Sequence, residues 1–119
     1  MDIDLFPEEH ELIDIFESEP TEIDEDMPWY YNELRFYLKR NENVLEAIIS
    51  PAISDIKLRW HNQKHILASL HLEDVKGIKI EKKDGTESLC IMFEDLLVKD
   101  LIITTKPYIS ISWGTNRNV

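Results

Sequence analysis

The sequence predicts an α+β fold, with N-terminal helices packed on an antiparallel β-meander of about five or six strands. Three observations carry that prediction. Apolar residues recur at helical spacing before Pro51 and alternate with polar residues after it. The turn signals between the alternating runs are short, which excludes parallel crossovers of about a dozen residues or more. A chain of 119 residues, 43% hydrophobic and 31% charged, has the make-up of one globular domain. Within it, 1–27 reads as an acidic arm with a short helix, 28–50 as an aromatic helix region and 51–114 as the antiparallel sheet.

Residues 7–17 read as the first helix. Pro7 suits the first helical position, and Glu8 and Glu9 lie where the helix dipole favours anions. Leu12, Ile13 and Phe16 make its apolar stripe, and Ser18, Glu19 and Pro20 end it. Residues 21–26 read as an acidic linker. A second helix is expected from Trp29, with Tyr30, Leu34, Tyr37 and Leu38 on one face, broken at Asn41 to Asn43. Residues 44–49 fit helix or strand equally.

After Pro51 the period is two. Ile56, Leu58 and Trp60 alternate with Lys57 and Arg59, and His61 to Lys64 form a turn. Ile66, Ala68, Leu70 and Leu72 make the next strand. Gly77 sits where a bulge would fit, ahead of Ile78 and Ile80. Asp84-Gly85 is a hairpin signal. The run from Leu89 to Phe93 is apolar on both faces and reads as central. Leu101 to Ile103 form a further strand. Pro107 confines the last one, Tyr108 to Trp113, to an edge or to a start at that residue.

The charge is unevenly spread. Against 13 Lys and Arg stand 24 Asp and Glu, a formal net charge of −11. Residues 1–34 hold five Asp and eight Glu and neither Lys nor Arg. Such a balance disfavours direct nucleic-acid binding and adhesion to anionic membranes, both of which need clustered cations. The arm has three readings: a solvated surface that keeps the chain soluble, a surface that docks on a basic partner, or a segment lying against Lys and Arg of the rest of the chain, Lys57 and Arg59 among them. The first residues carry no basic and long apolar pattern of a signal peptide, and no run reaches the roughly 18–20 apolar residues that span a bilayer. One cysteine, Cys90, forms no intramolecular disulfide and fits a reducing compartment. A cytoplasmic protein is expected.

Candidate chemistry is sparse. His61 and His65 stand four apart, but no Glu follows His61 and the pair falls in an expected turn, so no zinc site and no cofactor are expected. His10 and His71 read as isolated. Cys90 lies in an apolar run, where a thiol is inert. The pairs Glu73/Asp74 and Glu94/Asp95 read as solvated bends at strand ends. Trp29, Tyr30, Tyr31, Phe36 and Tyr37 form the densest aromatic cluster, mostly core, and Tyr and Trp beside acids are also what interface hot spots use.

The strand pattern Ile56-x-Leu58, Ile78-x-Ile80 and Leu89-x-Ile91-x-Phe93-Glu94-Asp95, followed by Pro107-x-Ile109-x-Ile111, resembles the sheet region of small bacterial immunity proteins of the immunity protein 50 type. Pro28-Trp29 matches that group's aromatic opening loosely, and the acidic arm has no counterpart in it. The resemblance covers about half the chain and transfers no functional residue. It implies a non-enzymatic protein that binds and neutralises a toxin. With the charge, it leads to an acidic inhibitor of a basic toxin or nuclease, with Glu22, Asp24, Glu25 and Asp26 as contacts and Trp29 and Tyr30 as anchors. The alternatives are a DNA mimic aimed at a DNA-binding protein, and a small enzyme with a pocket on the sheet using His61, His65 or the strand-end carboxylates.

Overall fold

The structure, a computed structural model, describes residues 5–114. One α-helix, α1 (Glu9–Phe16), precedes nine strands: β1 (Thr21–Glu22), β2 (Leu34–Arg40), β3 (Asn43–Ser50), β4 (Asp55–Asn62), β5 (His65–Leu72), β6 (Val75–Lys83), β7 (Thr86–Phe93), β8 (Leu101–Lys106) and β9 (Ser110–Ser112). Single 3-10 turns occupy Trp29–Tyr31 and Pro51–Ile53. All strand pairings are antiparallel, as expected, but they divide between two sheets, ordered β1-β2-β3-β4-β5 and β6-β7-β8-β9.

The expected first helix is present, one to two residues shorter at each end. Its N-terminus is fastened by Glu8 N–H donating to Glu11 Oε1 at 3.0 Å. It buries Leu12, Ile15 and Phe16, and Phe16 stacks on Phe36 at 4.7 Å between ring centroids. Glu17 ends it in the left-handed region at φ 57°.

The expected aromatic helix is not formed. Its first turn exists only as the 3-10 turn, and Leu34–Arg40 is a strand. Leu34, Phe36 and Leu38 are buried while Arg35, Tyr37 and Lys39 are exposed, a period of two. The physical reason is pairing: β2 bonds to β3 along its whole length, from Leu34↔Ile49 to Arg40↔Asn43. A two-residue turn closes that hairpin, with Asn41 at φ 55°. The same pairing makes Asn43–Ser50 a strand. Among the described residues the expected meander of five or six strands is thus nine strands in two sheets, and the expected helices are one.

The sheets part at Glu73-Asp74, where Asp74 takes φ 55°. Gly77 does mark a bulge, the register of β6 and β7 shifting between Val75 and Gly77. Leu5 bridges to Gly77, its carbonyl accepting from Ile78 N–H at 2.8 Å. One core joins α1 and both sheets: Phe16, Phe36, Leu45 and Ile56 share it with Ile78, Leu89, Ile91 and Leu101. Burying a side chain of this kind contributes roughly 1.5–3 kcal/mol.

Candidate functional site

The segment expected to be an acidic linker is an ordered loop built around Asn32. This side chain is only 3% exposed. Its Oδ1 accepts from the backbone N–H of Ile23 at 3.1 Å, Asp24 at 3.2 Å and Glu33 at 2.9 Å. Its Nδ2 donates to the carbonyls of Asp24 and Met27. One carboxamide, with both donors and its acceptor in use, substitutes for the backbone ladder that residues 23–27 lack. Thr21 and Glu22 then join the sheet by pairing with Arg35 and Leu34.

Pinned this way, the loop presents two kinds of surface. Glu22 and Glu25 meet Glu9 and Glu19 around an open concavity of about 490 Å³. Asp24 is partly used within the loop, its Oδ1 accepting from Asp26 N–H at 3.0 Å. Beside the acids stand large exposed apolar side chains, Ile23 (73% exposed), Tyr31 (65% exposed) and Met27. Trp29 and Tyr30, the expected anchors, are half-buried. Trp29 packs on Phe6 at 5.4 Å, and Tyr30 lies edge-on to Trp29 at 6.2 Å and to Tyr31 at 5.5 Å. They form the base of the patch, and Tyr31 is its exposed ring.

Other carboxylates of the acidic third are tied to the rest of the chain, though not through Lys57 or Arg59. Glu17 receives a bidentate pair from Arg40, at 2.7 and 2.9 Å, while Arg40 Nε also donates to the Thr105 carbonyl at 3.0 Å. The Arg40 hydrogen bonds hold the Glu17 carboxyl below its ordinary range. Asp14 pairs with Lys82, which lowers the acid and raises the amine.

The histidines fall differently from expectation. His61 and Asn62 belong to β4, and the turn is Gln63 with Lys64, Gln63 lying at φ 52°. Across this hairpin His61 faces Ile66 while Asn62 faces His65, so the two rings are not paired. His71, expected to be isolated, bonds to Asp55 at 2.6 Å. With Glu73 these form the group of metal-capable side chains found among the described residues, their ligand atoms within 4.8 Å of one another. Cys90 is buried, and desolvation with the Asp100 carboxylate 3.5 Å away pushes its thiol up to about 11. Of the strand-end acids, Asp95 accepts from Leu97 N–H at 2.9 Å and serves the bend that holds it.

No family model matches the sequence, and no curated protein matches it. The fold does have a counterpart. A chain of a contact-dependent growth inhibition toxin–immunity protein complex from Klebsiella pneumoniae 342 superposes with a TM-score of 0.84, at 18% identity. The match covers 98% of this chain and 100% of that one. The resemblance to bacterial immunity proteins therefore holds at the level of fold, over nearly the whole chain rather than its sheet region alone. Among the described residues no helix is long and apolar enough to cross a membrane.

Proposed function

We propose that the chain is an immunity protein: a non-enzymatic inhibitor that binds a toxin of the contact-dependent growth inhibition kind and neutralises it in the cytoplasm. The observation that carries this reading is the end-to-end superposition on a chain from such a complex. The docking surface proposed is the Asn32-pinned loop. Ile23, Met27 and Tyr31 supply apolar contact, and Glu22 and Glu25 with Glu9 and Glu19 supply a rim that attracts a basic partner. An exposed aromatic beside charge suits both parts of binding, since anchors set residence time and charges raise the on-rate.

The test is growth rescue and calorimetry with toxin domains encoded in the same genome. Tyr31→Ala should weaken binding by at least about 2 kcal/mol, roughly thirtyfold, if Tyr31 is a central anchor. Changing Glu22 and Glu25 to Gln, and Asp24 and Asp26 to Asn, should slow association mainly at low salt, because exposed charges are screened over about 8–10 Å at 0.1–0.15 M. Absence of rescue and of binding for every such domain defeats the function. Rescue that ignores all five substitutions defeats the assigned surface.

A further inference from the structure

The outer face of the first sheet carries a charge pattern opposite to that of the chain as a whole. Cross-strand pairing aligns Arg35, Ile48, Lys57 and His71 in one row and Tyr37, Glu46, Arg59 and Ser69 in the next. Directly paired residues point to one side of a sheet. The alternate row Leu34, Ile49, Ile56 and Leu72 is buried, so these two rows face outward. All residues of these two rows but Tyr37 line an open groove of about 480 Å³.

The cations in this groove are under-used. Arg35 makes only a loose contact with Glu46, Nε to Oε1 at 3.9 Å. Lys57 and Arg59 are exposed and have no ion-pair partner among the described residues. In a chain of net charge −11, carboxylates are plentiful, yet none closes on these two. Asp55, the nearest acid on the same strand, is taken by His71.

We propose that this groove binds an extended acidic segment of a partner protein in which carboxylate and apolar side chains alternate. Lys57 and Arg59 stand two residues apart on one strand, a separation of about 6.5–7 Å. Every second side chain of an extended peptide has that same spacing, so successive carboxylates meet successive cations. The apolar side chains between them point to the opposite face, away from the groove, and favour the extended conformation where they are β-branched. Phosphate backbones fit less well: Glu46 stands beside Arg59 in its row, the cations are few, and the net charge repels a polyanion. The groove is made by β2 to β5 and meets the Asn32 loop only at Arg35, which pairs with Thr21, while Lys57 and Arg59 lie on β4 beyond it, so this inference stands whether or not the immunity reading does.

The probe is a short fluorescein-labelled peptide alternating Glu and Val, capped at both ends, titrated into the full chain at low ionic strength. Saturable binding is expected, with amide shifts centred on Ile48, Lys57, Arg59 and Ser69. Lys57→Glu with Arg59→Glu should weaken it about tenfold, whereas Lys57→Arg and the distant Lys83→Glu should leave it within about twofold. Should the double reversal impair folding, Ser69→Glu places a carboxylate in the groove without removing a cation and should weaken binding in the same direction. No saturable binding, equal binding of the matching Lys and Val peptide, tighter binding of a labelled oligothymidylate, or indifference to both groove variants each overturns the proposal.

Discussion

Replacing Asn32 by Ala should cost the folded chain about 2–3 kcal/mol. The Asn32 carboxamide makes five hydrogen bonds, to Ile23, Asp24, Glu33 and the carbonyls of Asp24 and Met27. A net contribution of roughly 0.5–1.5 kcal/mol per bond sets an upper range several kcal/mol wide. The loop is exposed on its outer side, so water re-satisfies much of what is lost, which brings the figure down to the bottom of that range. For a domain of this size the midpoint should fall by about 8–12 °C. Asn32→Asp sharpens the test. It keeps an acceptor but turns the donor side into a carboxylate edge facing two carbonyls, amid other acids. It should cost more than Ala at pH 7 and recover as the pH falls and the new acid protonates. Urea melts give the free energies, and hydrogen exchange at the Ile23 and Asp24 amides reports whether the loop opens first. An Ala variant losing under about 1 kcal/mol, or an Asp variant milder than Ala at pH 7, would refute the account of Asn32 as the pin.

Glu17→Gln should destabilise by no more than about 1 kcal/mol, because the pair with Arg40 is half exposed. The folded Glu17 pKa is depressed, so its contribution is present above the ordinary value of 4.5 and fades as the pH falls through the folded value. Wild-type and Gln melting curves should therefore converge in acid, and a constant gap would contradict the pairing. Cys90, with its thiol raised to about 11, should resist alkylation at pH 8 until denaturant is added, which mass spectrometry reads directly. Gly77→Ala should cost roughly 1–3 kcal/mol, since its Cβ would lie 3.0 Å from Leu5 Cβ and 2.9 Å from Met92 Cε. Met92 can swing aside, but Leu5 is held by its bond to Ile78, so a wild-type melting point would argue against that bridge.

Much of the sheet was legible because alternation and turn chemistry agree. Asp84-Gly85 closes the β6–β7 hairpin, and Gly77 sits at the bulge. Residues 29–40 misled because Tyr30, Leu34, Tyr37 and Leu38 fit a period of 3.6 while Leu34, Phe36 and Leu38 fit a period of two. Local sequence cannot rank them; pairing with β3 does. The division into two sheets is equally hidden, since alternation marks a strand but not its neighbours. At the site, the acids of the loop were visible as composition. Asn32 was not, because a buried Asn and a turn Asn look alike until the backbone groups around it are placed. The rows through Lys57 and Arg59 exist only once register joins four strands, so no stretch of sequence displays them.

The ends of the two sheets are protected unequally. β1 and β9 are two and three residues long, and β6 carries Lys76, Lys79, Lys82 and Lys83. Short length and lysines are both ways of discouraging another chain from adding a strand. β5, the last strand of its sheet, has neither: it is eight residues long, its charged-capable side chains are only His65 and His71, and Ile66 and Leu67 are exposed along it. The surplus of carboxylates supplies a long-range repulsion that opposes the joining of two copies there. That repulsion weakens as the pH approaches the sequence pI of about 4.7, so light scattering of a concentrated solution should show self-association rising there before the fold is lost.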